Sequence, residues 1–295
     1  MLKRDIEKII YDMPKFYKAE LHKKCLNSDY KNSLIISFSF IKETFSLYKY
    51  IDNFDVLYLA CESNVYYLSN VEAINSFIYT IIKEHNYTNI ILIGTSKGGF
   101  ASCLYGILLS KQLRSVNFNA LVFSAQILLY PKNNFVLENS KISYDYLSLL
   151  KFAEENNEIL KNLKKYGNLK EILKEKNENL KIYIIAGKNE IVDSKEALRL
   201  VEFSNVKVNF LDISSHFSLI PFTLSNIDIE NMNKFKKRLI LTIPDYFGLR
   251  DDEIELNKIA NEISSVVKNG NLRSLNEIFE LLAQEKEISF TKDNK

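Results

Sequence analysis

Six residues, Gly94-Thr95-Ser96-Lys97-Gly98-Gly99, gather three of the chain's 8 glycines around one serine and one lysine. Two chemistries use a turn of this composition. A phosphate loop needs Gly-x-x-x-x-Gly-Lys followed by a hydroxyl residue, so that backbone amides surround the phosphates and the lysine reaches the terminal one. Here the lysine precedes the glycine pair and no hydroxyl follows it, so that template fails. The same residues satisfy Gly-x-Ser-x-Gly between an apolar run, "NIILIG" at 89–94, and a helix-like run over 98–113, which is the setting of a nucleophile elbow. In so tight a turn, side chains two residues either side of the serine would collide with neighbouring backbone, and Gly94 and Gly98 remove them. Ser96 Oγ is then presented at the carboxyl end of a strand, and the Lys97 backbone N–H supplies one oxyanion donor. The Lys97 side chain is expected either to face an anionic group of a substrate or to lie in solvent.

A serine hydroxyl is a weak nucleophile until a histidine takes its proton, and that histidine must be oriented by a carboxylate. After an elbow the chain order is serine, acid, histidine. Of the 3 histidines, His22 and His85 precede the serine and are expected to be structural or surface residues, whereas His216 in "FLDISSHFSLIPF" follows the last predicted strand. Two carboxylates compete for the acid in the loop after "KIYIIAG": Glu190, three residues beyond Gly187, is favoured by spacing, and Asp193 is the alternative. Asp212 shares a strand and loop with His216 and is less suited to orient it. The second oxyanion donor is expected near Ser39 or Phe40, just after "SLIISFSF". With no metal-ligand cluster and no Gly-x-Gly-x-x-Gly, the economical expectation is a serine mechanism without a metal or bound cofactor.

The elements that must position these groups alternate along the chain. Strand-like runs fall at 33–40, 54–61, 89–94, 120–125, 181–187 and 206–213, and helix-like stretches at 70–85, 98–113, 194–203 and 229–241. Continuous apolar strands of this kind suit a parallel sheet covered on both faces, with ligands outside the carboxyl ends of its strands. A helical insertion at about 140–178 is placed to carry a lid, and the predicted catalytic domain spans 1–249. A helical extension over 250–295 carries Ile254, Ile259 and Ile263 on one stripe and Leu275, Ile278 and Leu282 on the next. Those stripes either pack against the body or join two copies into a homo-oligomer.

A content of 46% hydrophobic residues is enough to fill a substantial core, and a net charge of +2 excludes a strongly basic nucleic-acid binder. Cys25, Cys61 and Cys103 lack CxxC spacing and are expected to be reduced, inert thiols. With no apolar run of membrane-spanning length, a cytoplasmic location is expected.

With these residues in place, "GTSKGG", "AGKNE" and "SSH" together resemble the serine-type bacterial capsular polysaccharide O-acetyltransferases, over roughly residues 33–240. The resemblance implies an α/β-hydrolase-like, doubly wound, mostly parallel sheet. It also implies Ser96 as the acetylated nucleophile, Glu190 as the orienting acid, His216 as the base, acetyl-CoA as donor and a glycan hydroxyl as acceptor. Gln126 in "FSAQ" corresponds to a residue after the next strand that faces the site. The sequence departs from the family in having glutamate for the usual aspartate and threonine for the first elbow serine. The alternatives are an esterase, thioesterase or deacetylase using the same triad with water, and a noncatalytic subunit of a secretion or polysaccharide-assembly complex.

Overall fold

Every second residue of a strand faces the same side of its sheet, and in this chain both sides are apolar. In the computed structural model, which describes residues 7–14, 17–23, 30–40, 45–48, 50–61, 63–140, 143–175, 177–224, 234, 237 and 253–292, the central strands are accordingly buried on both faces. Leu34, Ile36, Phe38, Ile90 and Leu92 enter one core, while Ile35, Ile91 and Ile93 enter a second core across the sheet.

The strands are β1 (Glu7–Tyr11), β2 (Tyr17–Lys23), β3 (Ser33–Phe38), β4 (Asp55–Cys61), β5 (Asn89–Thr95), β6 (Asn117–Phe123), β7 (Leu180–Gly187) and β8 (Val206–Leu211). They form one sheet in the order β1-β2-β4-β3-β5-β6-β7-β8. Pairing is parallel from β4 to β8, whereas β1 with β2 and β2 with β4 run antiparallel. The six strands expected from the apolar runs are present. The antiparallel pair was not expected, because "EKIIY" and "YKAELHK" mix charged and apolar residues as half-exposed strands at a sheet margin do.

The helices are α1 (Val71–Glu84), α2 (Lys97–Gln112), α3 (Asn134–Asn139), α4 (Ser143–Glu155), α5 (Asn157–Tyr166), α6 (Leu169–Leu173), α7 (Ile191–Leu198), α8 (Ile220–Leu224), α9 (Glu253–Asn269) and α10 (Leu275–Ala283). Helix α2 is buried on almost every side, which suits its nearly uninterrupted apolar sequence. The predicted insertion appears as α4 to α6, preceded by the short α3, all between β6 and β7. The helix expected over 229–241 lies outside the described residues, apart from Lys234 and Lys237, which are helical.

The C-terminal stripes are buried within the chain itself. Leu275, Ile278, Phe279 and Leu282 of α10 cover the second face of the sheet, with Phe279 edge-on to Phe54 at 6.1 Å. Ser274 and Glu277 start that helix with a reciprocal capping box. On α9 the buried residues are Leu256, Ile259, Ala260 and Ile263, packed with Leu224. Ile254 departs from the expected stripe and is 84% exposed. Five residues separate it from Ile259, about 140° around a helix of 3.6 residues per turn, so the two cannot share a face.

Cys61 and Cys103 are buried free thiols, and burial pushes the Cys103 thiol up to about 12; Cys25 lies outside the described residues. No helix among the described residues is long and apolar enough to cross a membrane.

Because α10 forms one wall of the sheet's second core, Phe279→Ala is expected to cost about 3–5 kcal/mol in denaturant unfolding of the whole chain. An unchanged unfolding midpoint would show that the extension is a dispensable appendage.

Candidate active site

Ser96 sits between β5 and α2 with φ 54° and ψ −124°, a backbone conformation that an L-residue holds at a cost of about 1–3 kcal/mol. The turn is fixed from both sides. Its N–H donates to Phe123 O of β6 at 2.9 Å, and its carbonyl accepts the Phe100 N–H at 3.1 Å. A Cβ on Gly94 would lie 2.3 Å from the Gly98 carbonyl carbon, and one on Gly98 would lie 2.3 Å from Phe38 O at the end of β3. Gly99, to which the sequence assigned no role, is equally constrained, since its Cβ would meet the Ala125 side chain and Phe123 O at 2.9 Å. Three glycines are therefore needed so that a strand, a helix and two neighbouring strand ends can meet at one half-buried serine.

His216 lies in the loop after β8, at the carboxyl end of the same sheet. Its Nδ1 is 2.9 Å from both carboxylate oxygens of Asp193, which is buried in the first turn of α7. The carboxylate on the imidazole is thus that of Asp193, not that of Glu190, which spacing favoured. The reason is the position of the helix start. Glu190 is the N-cap of α7, and its side chain turns back to accept the Asp193 N–H. The expected helix began at 194; the actual one begins at Ile191, which carries residue 193 onto a helical turn facing the histidine.

The His216 Nε2 atom is buried and has no hydrogen-bond partner among the described residues. Burial works to lower its pKa, but the charge and hydrogen bond of Asp193, followed by the charges of Glu190 and Asp145, raise it above 6.5 overall. The Glu190 carboxyl is pushed up to about 7, first by burial and then by the neighbouring charge of Asp193.

The loops carrying acid and histidine are laced together. Lys188 N–H donates to Leu211 O at 2.7 Å and Asn189 N–H to Ile213 O at 3.1 Å, and the Asn189 amide reaches Asp212 at 3.0 Å. Gly187 permits this approach, because a Cβ there would lie 2.9 Å from the Ile213 and Ser215 carbonyl oxygens. Beyond the histidine, Ser218 Oγ donates to Ile185 O at 3.0 Å and meets Ser124 Oγ at 2.7 Å.

Of the two residues expected to supply the second oxyanion donor, Ser39 has its backbone N–H committed to Leu59 O at 2.8 Å, and its carbonyl accepts from Tyr67 OH. Phe40 follows it, two residues beyond the end of β3. Lys97 is the first residue of α2, where helix amides point outward beyond the N-terminus. Its side chain is 1% exposed and does not lie in solvent. The ammonium donates to Asn64 Oδ1 at 3.3 Å and Ser63 O at 3.5 Å, and the Asn64 amide in turn donates to Asp145 of α4 at 2.6 Å. Gln126 is buried and accepts from Tyr66 OH at 2.5 Å. No sequence pattern marked Asn64, Tyr66 or Asp145, since they converge only after folding.

His22 is buried against Glu20, its Nε2 3.0 Å from the carboxylate, and His85 caps the end of α1. No group of three or more potential metal ligands occurs among the described residues.

The sheet order, the strained serine after β5, the carboxylate after β7 and the histidine after β8 can be compared with solved structures. Carboxyl esterase 2 from the mycorrhizal fungus Tuber melanosporum superposes with a TM-score of 0.53 at 13% identity, covering 77% of this chain and 83% of that one. The chain has the α/β-hydrolase fold. An esterase from Pyrobaculum calidifontis matches with a TM-score of 0.46 at 10% identity, over 70% of this chain and 74% of that one. At such identities the likeness to α/β-hydrolases is one of fold alone. No protein-family model matches the chain, and no curated protein sequence matches it.

With only 3 histidines, each ring can be followed separately by NMR. The His216 ring is expected to titrate above pH 6.5, to fall in Asp193→Asn, where burial is opposed only by the charges of Glu190 and Asp145, and to fall less in Glu190→Gln. Since the folded pKa exceeds the unfolded one, the Asp193–His216 pair stabilises the fold below pH 6.5, and that contribution fades as pH rises through the folded value. Equal shifts in the two variants would contradict the assignment of the carboxylate.

Proposed function

We propose that this protein is a serine-dependent ester hydrolase in which Ser96 is the nucleophile, His216 the general base and Asp193 the orienting acid. The observation that carries the proposal is the Asp193 contact to His216 Nδ1 with Nε2 buried and unpartnered, on a sheet that also presents Ser96 in an elbow. A carboxylate on Nδ1 keeps the proton there and leaves the Nε2 lone pair as acceptor.

In the first half-reaction Ser96 Oγ attacks the ester carbonyl carbon while its proton passes to His216 Nε2. The tetrahedral oxyanion is held by the Lys97 N–H and by a second backbone N–H from the loop that follows β3. Nε2 then returns the proton to the departing alkoxide oxygen, the C–O bond breaks and an acyl-serine remains. In the second half-reaction water attacks the acyl carbon with its proton going to Nε2, and Ser96 leaves as the hydroxyl once that proton is returned.

O-Acetyl transfer from acetyl-CoA to a glycan hydroxyl is a second reading, differing only in the donor and in the acceptor of the second half. It is favoured by the resemblance of residues 94–99 and by the insertion, which reaches the elbow through Asp145, Asn64 and Lys97 and is suited to keep water from an acyl-serine.

Hydrolysis of p-nitrophenyl acetate is expected from the wild type. Activity should be abolished in Ser96→Ala and reduced about a thousandfold or more in Asp193→Asn, with Glu190→Gln within about tenfold of wild type. The acid limb of kcat/KM should lie above pH 6.5. Turnover unaffected by Ser96→Ala would overturn the proposal. An acetylated Ser96 formed from acetyl-CoA and discharged to a sugar hydroxyl, but not to water, would replace hydrolysis with transfer.

A further inference from the structure

The histidine loop is gripped from outside the sheet as well as from within it. Glu262 of α9 accepts the Ser214 N–H at 2.8 Å and the Ser214 hydroxyl at 2.7 and 2.9 Å, so both carboxylate oxygens are used on one residue. Ser214 stands two positions before His216. Its N–H belongs to the same peptide unit as the Ile213 carbonyl, which accepts the Asn189 N–H of the acid loop at 3.1 Å. That one peptide is therefore held at its oxygen by the loop carrying the acid and at its nitrogen by the C-terminal extension. On the other side of the histidine, Phe217 and Ile220 pack against the α9 cluster of Leu256, Ile259, Ala260 and Ile263.

We infer that Glu262 is a positioning residue: by clamping Ser214 it fixes the backbone from which His216 reaches Asp193, so the C-terminal extension completes the active-site geometry as well as the core. A glutamate on an amphipathic helix would ordinarily face water. Here its two oxygens are committed to a loop amide and hydroxyl, and charge-assisted bonds of that kind are short and directional. The nearby Lys258 ammonium, 4.0 Å from Glu262 Oε1, is exposed and adds little to the clamp. The kinetic part of this inference rests on the proposed serine chemistry, whereas its geometric part does not.

The test compares Glu262→Ala, Glu262→Gln and Ser214→Ala in the full chain, each checked for wild-type circular dichroism. The first readout is the low-field proton signal of His216 Nδ1–H held by Asp193. It should be present in the wild type, broadened or lost in Glu262→Ala, and retained in Glu262→Gln, whose amide oxygen still accepts from Ser214. Ser214→Ala keeps the backbone bond and should weaken the signal less than Glu262→Ala, which also covers the case in which the latter fails to fold. The second readout is p-nitrophenyl acetate turnover, where kcat should fall by up to about a hundredfold in Glu262→Ala with KM unchanged and partial rescue by glutamine, as expected for a misplaced catalytic group. An unaltered His216 signal in folded Glu262→Ala would overturn the inference whatever the turnover. An inactive wild type with a signal that still depends on Glu262 would overturn the hydrolase reading and leave the clamp standing.

Discussion

A buried carboxylate facing a largely buried imidazole is the interaction on which the remaining geometry depends. Neither group tolerates loss of water unless the other stands at hydrogen-bonding distance, and Asp193 sits in the first turn of α7 whereas His216 lies in the loop after β8. Bringing them together takes several independent devices. Glu190 fixes the first turn of α7, the Asn189 and Lys188 amides bind the acid loop to the histidine loop, and Gly187 lets the two backbones approach. The raised pKa of His216 follows from its surroundings: burial disfavours the imidazolium, and the Asp193 carboxylate together with the charges of Glu190 and Asp145 more than compensates.

The elbow presents the complementary problem. Ser96 holds an unfavourable backbone conformation because β3, β6 and α2 leave no other path from β5, and the three glycines are the places where those elements touch. A strained turn persists only when its surroundings over-determine it. Here they do so by burial on both faces of the sheet, with α10 forming part of the second wall. The C-terminal extension thus serves the elbow through the core, and α9 serves the histidine loop through Ser214 and Phe217.

Much of this was legible in the sequence where the signal is local. The six parallel strands are apolar runs, and Gly94, Ser96 and Gly98 mark a turn whose meaning lies in adjacent residues. The β1–β2 pair was hidden because half-exposed strands carry charges that blur the period-two pattern. Glu190 and Asp193 are three residues apart, and only the start of α7 decides which one caps a helix and which one meets the histidine. The engagement of the Ser39 amide with Leu59, the burial of Lys97 and the reach of Glu262 to Ser214 depend on neighbours 20 to 48 positions away in the chain, a kind of information that composition and spacing do not carry.

Activation of Ser96 as a nucleophile by His216 can be read out by covalent trapping. The protein would be treated with an alkyl fluorophosphonate and its peptides mapped by mass spectrometry. One adduct is expected on the peptide containing Ser96, formed in the wild type and strongly slowed in His216→Ala. No adduct, an adduct on another residue, or labelling of Ser96 that proceeds equally well without His216 would contradict it.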